Sequence, residues 1–266
     1  MTYGIIGLGN MATAIISGMR ASQTFANQTI VGYDPLCEKA KAVAGAYGIT
    51  RVASEREVVE LSDVVLLAVK PQILPTLLPT IAPYVKAGTL VVSIAAGKTI
   101  AFYEDHLPCG TPVVRVMPNI NAQVLSSATA ICGGTYASET HVNLVKDLFE
   151  TVGQVFVIEE HLFSAFTGIS GSAVAFAYLY VDAVAKAGAA AGFDLDTARK
   201  ISTAATLGSA QLLTQSDHTP EELVKMVCSP GGTTIEGVAS LEGDDFAGTL
   251  ARAVHAVIQK DQKLQH

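Results

Sequence analysis

Charge is scarce in this chain. Of 266 residues only 15% are Asp, Glu, Lys or Arg, while 50% are hydrophobic. Long apolar runs are missing too. No unbroken stretch of about 18 apolar residues, the length a bilayer requires, occurs. The most tempting run, Ala173 to Val181, stops at Asp182. The low charge points instead to extra burial against another subunit. Cysteine is sparse: Cys37, Cys109, Cys132 and Cys228 are scattered and form no CxxC, and the six histidines do not cluster at ligand spacings. A reduced compartment suits such thiols, and no metal site is expected. The opening MTYGIIGLG reads as a first strand and not as a basic, cleavable leader, so a cytoplasmic location is expected. A formal net charge of −7 argues against nucleic acid as a partner.

What is present is an alternation. From residue 3 to about 158, the apolar runs YGIIGL, TIVGY, DVVLLAV, TLVVSIAA and TPVVRVM are short, continuous and rich in β-branched residues. Strands buried on both faces of a parallel sheet have that look. Helical patterns lie between them, one opening with a predicted capping box, Ser54 with Glu57. SSATAICGG and QVFVIE read as closing strands. The pattern predicts an α/β fold, a doubly wound sheet over residues 1–158, followed by an all-helical domain over 159–266. In the second half, residues 172–192 read as one helix nearly bare of charge and buried on all sides, with Asp182 and Lys186 as an i,i+4 pair. A further helix begins near Asp194–Asp196. Thr219, Pro220 and Glu222 then supply the cap, first position and box of the next.

Two glycine turns carry the chemistry. Gly7-Leu8-Gly9-Asn10-Met11-Ala12 matches the dinucleotide-binding fingerprint, with Ala in the third glycine position, and it sits between a strand and a helix. Gly7 makes the tight turn, Gly9 lets a pyrophosphate approach the backbone, and Ala12 packs helix on strand. Asp34 ends the second strand at the spacing of the acidic residue that binds the adenosine ribose; it equally reads as the start of an Asp-Pro turn. No arginine follows it, and the nearest basic residues are Lys39 and Lys41, so NADH is expected over NADPH. Ala68-Val69-Lys70-Pro71 ends another strand at the ligand edge of the sheet. There Lys70 either faces cofactor phosphate or is solvated, and Pro71 either lines the site or opens a helix. Ser93-Ile94-Ala95-Ala96-Gly97 ends the next strand with residues small enough for a nicotinamide ring to approach. The second turn, CSPGGTTIEG at residues 228–237, feeds a helix N-terminus, whose free N–H groups favour an anion. Its competing reading is a structural turn with a capping box, Thr233 with Glu236.

GLGNMA, AVKP, SIAAG, RVMPN, SGS and above all MVCSPGGTTIEGVASLE resemble pyrroline-5-carboxylate reductase, in the same order and over essentially the whole chain. The resemblance implies a Rossmann domain for NAD(P)H and a helical domain that builds a dimer, often assembled into decamers. It also implies an active site across the dimer interface and a cyclic imino acid as substrate. Asn119, Ala96 and Gly97 then resemble residues near the nicotinamide. Ser229, Gly231, Gly232, Thr233 and Thr234 match the substrate loop, with Thr234 as the hydroxyl that approaches the ring nitrogen. Three departures stand out: Val174-Ala175-Phe176 replaces Pro-Ala-Tyr, Ile120-Asn121 replaces Thr-Pro, and Glu55 replaces an asparagine on the adenine side. Hydride addition to a protonated imine needs alignment and charge stabilisation more than a nucleophile or histidine base. Two other readings compete. The β-hydroxyacid dehydrogenases require a lysine four residues beyond a glycine pair, and none follows Gly171-Ser172 before Lys186. A catalytically silent NAD(P)-sensing protein would leave the 228–234 loop without a purpose.

Overall fold

The computed structural model of the chain describes residues 1–265. Its first part runs β1 (Thr2–Ile6), α1 (Asn10–Ala21), β2 (Thr29–Tyr33), α2 (Cys37–Tyr47), β3 (Thr50–Arg51), α3 (Glu55–Leu61), β4 (Val64–Leu67) and α4 (Leu74–Ile81). Then follow β5 (Leu90–Ser93), α5 (Ile100–His106), β6 (Val113–Met117), β7 (Ser127–Gly133), α6 (Glu139–Glu150) and β8 (Gly153–Val157). The strands form one sheet in the order β3-β2-β1-β4-β5-β6-β7-β8. Order reverses between β1 and β4, which is where doubly wound sheets bind ligands. Successive residues of each central strand feed opposite faces. Ile5, Leu66 and Val92 join one core cluster, and Ile6, Leu67 and Val91 the other. A strand buried on both sides must therefore be apolar at every position.

The sheet departs from pure parallel pairing at one strand. β7 runs antiparallel to β6, and β8 then runs parallel to β7. The β6–β7 connection is the reason: it holds a single 3-10 turn, Ile120–Val124, closed by Leu125 at φ 55°. A parallel return needs a crossover of about a dozen residues or more. The α3 box is likewise altered. Ser54 Oγ accepts from Glu57 N at 3.2 Å, but the Glu57 carboxylate takes the N–H of Ala53 at 2.8 Å, not that of Ser54.

After β8 come α7 (Phe163–Phe166) and a π-helical turn over Thr167–Gly171, then α8 (Ala173–Ala190), α9 (Leu195–Gln215), α10 (Pro220–Val227), α11 (Thr233–Gly243) and α12 (Phe246–Leu264). The chain divides into two compact units, residues 1–171 with the C-terminal residues from Val257, and Ser172–Ala256. In the second unit α8 packs on α9. Ala185 and Ala198 are buried, and Ser202 Oγ donates to Val181 O at 3.1 Å. The reciprocal box of Thr219 and Glu222 forms, and Lys186 pairs with Asp182 at 2.7 Å.

Burial of helix 172–192 on all sides is not achieved within the chain alone, where only Ala185 of α8 is buried. Tyr178, Leu179, Tyr180 and Val184 are exposed, with Leu179 at 69%. The low charge of the helix thus reflects a surface that the single chain does not cover. Among the described residues one helical run, Glu160–Ala190, is long and apolar enough to cross a bilayer by length and composition. Ser, Gly, Asp182 and Lys186 interrupt its apolar residues, so no unbroken apolar stretch marks it in the sequence.

Candidate active site

Gly7 turns the chain out of β1 with φ +89°, a conformation that side chains rarely adopt. A Cβ there would lie 2.7 Å from Ala68 O, so the turn also sits hard against the end of β4. Gly7 N donates to Tyr33 O at 2.8 Å, and Leu8 N donates to Asp34 Oδ2 at 2.9 Å. Leu8 and Ala12 are fully buried; they hold the turn and helix on the sheet and offer no side chain to a ligand. Gly9 is the N-cap of α1 and makes no side-chain cap, and the first turn carries no acidic residue. The helix therefore starts with N–H groups that no side chain of the cap satisfies. A Cβ on Gly9 would meet only Lys39 Nζ, at 3.8 Å, so the backbone there is open to a close approach. A pyrophosphate fits that donor set.

Beside this turn lies a cleft of about 350 Å³. Of the residues expected from the sequence, Gly7, Gly9, Asp34, Ala68, Val69 and Lys70 line it. Sequence reasoning did not assign the apolar wall, which includes Tyr33, Leu36, Ile73 and Leu77. Leu36 and Ile73 are exposed large hydrophobics, an arrangement suited to a flat aromatic ring. Glu55 also borders the cleft. Burial, then the Glu55 and Asp34 carboxylates, raise the Tyr33 phenol above its ordinary pKa. Pro71 opens a 3-10 turn over Pro71–Ile73 with Lys70 as its cap residue.

Asp34 is buried and well satisfied. Its Oδ1 accepts Leu36 N at 3.0 Å, and its Oδ2 accepts Leu8 N and, at 3.2 Å, Lys39 Nζ. Burial alone would raise its pKa, but the two backbone N–H bonds and Lys39 outweigh it and hold the carboxyl below its ordinary value. The basic partner absent at the position after Asp34 thus comes from α2, one helical turn further along. That signal was in the sequence, where Lys39 is the nearest cation.

At the C-terminal end of β5, Ala95 and Gly97 are buried and Ala96 is half-buried. Gly97 has φ +68°, and a Cβ there would stand 3.1 Å from Leu264 Cβ. Asn119 follows β6, and its side chain is engaged inside the protein. Its Nδ2 donates to Ser170 Oγ at 3.1 Å and its Oδ1 accepts Asn121 N at 3.1 Å. Ser170 itself donates to Ala128 O at 3.2 Å from the π-helical turn. Such turns often mark functional sites. Asn10 is exposed and Met11 half-buried at the start of α1, outside the cleft.

The second glycine turn belongs to the other unit. Gly231 has φ +69°, and Gly232, not Thr233, is the N-cap of α11, with no side-chain cap. The expected alternative, a box between Thr233 and Glu236, is therefore not formed, because Thr233 is already the first helical residue. Gly232 N donates to Ser229 O at 3.0 Å, and a Cβ at Gly232 would lie 2.5 Å from Ser229 Oγ. Ser229, Gly231, Thr233 and Thr234 are exposed. Among the described residues no three His, Cys, Asp or Glu side chains group to hold a metal ion.

Comparison with known proteins places these features in a family. A sequence model described as pyrroline-5-carboxylate reductase dimerisation matches residues 160–264, and one described as NADP oxidoreductase, coenzyme F420-dependent, matches residues 2–97. The pyrroline-5-carboxylate reductase of Aquifex aeolicus (strain VF5) is 37% identical over 264 residues, 99% of this chain and 97% of the relative. The solved structure of 1-pyrroline-5-carboxylate reductase from Streptococcus pyogenes is similar with a TM-score of 0.89 at 33% identity, covering 99% of this chain and 98% of that one. Plasmodium falciparum pyrroline carboxylate reductase, solved with NADP bound, gives a TM-score of 0.89 at 27% identity, covering 100% and 98%.

Proposed function

The chain belongs to the pyrroline-5-carboxylate reductase family, and from that premise we infer how its own residues reduce L-1-pyrroline-5-carboxylate to L-proline, the last step of proline biosynthesis. The bound nicotinamide dinucleotide supplies the hydride that the imine carbon accepts. Gly7 and Gly9 leave room for its pyrophosphate at the uncapped start of α1, and Asp34 accepts from the ribose hydroxyls. Leu36, Ile73 and Tyr33 flank the adenine. Lys70 faces phosphate, and Ala96, Gly97 and Asn119 line the nicotinamide. Residues Ser229 to Thr234 hold the substrate carboxylate on backbone N–H groups, and the Thr234 hydroxyl bonds the ring nitrogen. The observation that carries the reading is a pair of glycine turns, each opening a helix without a side-chain cap. One suits a pyrophosphate and the other a carboxylate.

NADH is the preferred cofactor in this reading. A 2′-phosphate about 5 Å from the Asp34 carboxylate, at an effective dielectric near 20, is repelled by roughly 3 kcal/mol per unit charge. Lys39, 3.2 Å from Asp34, offsets part of that. Screening reduces it further, to roughly 10-fold discrimination in kcat/KM. The working unit is a homo-oligomer, a dimer at least and a decamer where dimers assemble, acting in the cytoplasm. The exposed face of α8 (Tyr178, Leu179, Val184) is the surface that the partner covers. The β-hydroxyacid dehydrogenase alternative is not favoured, since the lysine it needs is absent and Lys186 is engaged with Asp182. Steady-state assay of pyrroline-5-carboxylate with NADH and with NADPH tests the whole reading. No turnover with either cofactor would refute it. Equal efficiency with both, unchanged in Asp34→Ser, would refute the preference alone.

A further inference from the structure

Arg115 sits in the middle of the sheet, 3% exposed, paired in register with Ser93 of β5 and Cys132 of β7. A buried guanidinium is costly unless paired and hydrogen-bonded. Its Nη1 donates to Glu160 Oε1 at 2.9 Å, and its Cζ lies 4.3 Å from the centre of the Phe163 ring. The same Glu160 oxygen accepts the backbone N–H of Ile100 at 2.7 Å. Ile100 is the first residue of α5, so this bond fixes the far end of the turn that carries Ala96 and Gly97. The near end is fixed as well. Ala95 N donates to Ser93 Oγ at 3.3 Å, and that hydroxyl lies 2.6 Å from Tyr103 Oη. Burial pushes the Tyr103 phenol up to about 12, so it remains a neutral partner for Ser93.

We propose that Glu160 is a positioning residue for hydride transfer: its carboxylate, anchored by Arg115, holds the Ala96–Gly97 backbone at the distance from the nicotinamide that the reaction needs. The proposal rests on the placement of the nicotinamide against Ala96 and Gly97 made above. Glu160 does two things through one oxygen, and a change of charge or of length weighs on them differently. Its charge neutralises Arg115, and its reach brings an oxygen to Ile100 N. Stability depends on the first, and cofactor geometry on the second.

Two variants divide these roles. Glu160→Asp keeps the charge but is one methylene short of Ile100 N, whereas Glu160→Gln loses the charge but keeps a carbonyl oxygen in reach. Both are purified as full-length chains. Each is melted, titrated with NADH by the fluorescence of the bound nicotinamide, and assayed for the KM of each substrate. The expected result is a crossing: Glu160→Asp raises the NADH Kd and KM by roughly 10-fold while Glu160→Gln stays within about 3-fold. Glu160→Gln melts lower than Glu160→Asp, and the KM for the imine is unchanged in both. An NADH Kd that is unaltered in both variants, or that follows melting temperature in both, overturns the proposal. Ala96→Leu separates this failure from failure of the underlying placement. Normal NADH binding in Ala96→Leu removes the placement and the proposal together; weak binding there with normal binding in Glu160→Asp removes the proposal alone.

Discussion

The turn after β1 and the turn before α11 use the same two devices, a glycine at positive φ and an uncapped helix start, yet they are held differently. Around Gly7 the ends of two neighbouring strands, β2 and β4, supply the bracing: Tyr33 O, the Asp34 carboxylate and the Ala68 backbone all lie within hydrogen-bond or contact distance. Around Gly231 the bracing is local, a single turn from Gly232 N to Ser229 O, and a Cβ at Gly231 would meet nothing within 4 Å. The first site is built into the sheet. The second is exposed within the chain and braced only by its own turn. Substitutions in the first should act through the fold, and in the second through binding of the substrate proposed above for that turn.

The largest effect expected is at Gly7. Gly7→Val sets a β-branched residue at φ +89° and drives its Cβ into a backbone carbonyl that cannot step aside. Loss of NADH affinity by roughly 100-fold or more, or failure to fold, is the expected outcome of titration and circular dichroism. A folded variant with ordinary affinity would show that the turn is not the pyrophosphate site. Gly232→Val comes next. Its Cβ meets the Ser229 side chain of its own turn, so the sheet is untouched. The imine KM should rise roughly 10- to 100-fold while the NADH Kd stays near the wild-type value. A parallel rise in both constants would erase the contrast between the two turns. Thr234→Ala leaves the backbone donors in place and removes one hydroxyl. A fall of roughly 10-fold in kcat, carried into kcat/KM, is expected from one hydrogen bond to a charged group. A change confined to KM would place Thr234 with the carboxylate instead of the ring nitrogen.

How far the sequence could be read follows from distance along the chain. The Gly7 turn, the Asp34 spacing, the Thr219 box and all but the shortest strand are local patterns, and local patterns of period and spacing are visible in one dimension. The direction of β7 was also readable in principle, because the β6–β7 link is too short for a crossover. Other features join residues far apart. Arg115 and Glu160 are 45 positions apart, and Glu160 and Ile100 are 60; nothing in either neighbourhood announces the pairing. The apolar wall of the cleft combines Tyr33 and Leu36 with Ile73 and Leu77, four ordinary hydrophobics that only the sheet order brings together. Glu57 reached one residue past its expected partner for a smaller reason: cap geometry is decided by side-chain torsions that a motif does not specify.

The smallest effect sharpens the comparison through pH. Asp34 belongs to the braced turn, and its carboxyl is held below the ordinary range by Leu36 N, Leu8 N and Lys39 against the opposing influence of burial. A depressed folded value means that the folded state binds the proton less readily than the unfolded chain. The stabilisation from the ionised carboxylate is therefore complete above the unfolded value, near 4, and is lost as pH falls through the lower folded one. Asp34→Asn has no such titration. Measured without cofactor, wild type should melt roughly 2–4 °C above Asp34→Asn at neutral pH, the shift that about 1 kcal/mol produces in a chain near this size. The gap should hold down to about pH 5 and close in more acidic buffer. Thr234→Ala, which removes no titrating group, should show a gap from wild type that does not change over the same range. A gap for Asp34→Asn that is equally flat into acid would mean that the carboxylate is not what braces the first turn, and the contrast with the second would then rest on Gly7 and its backbone neighbours alone.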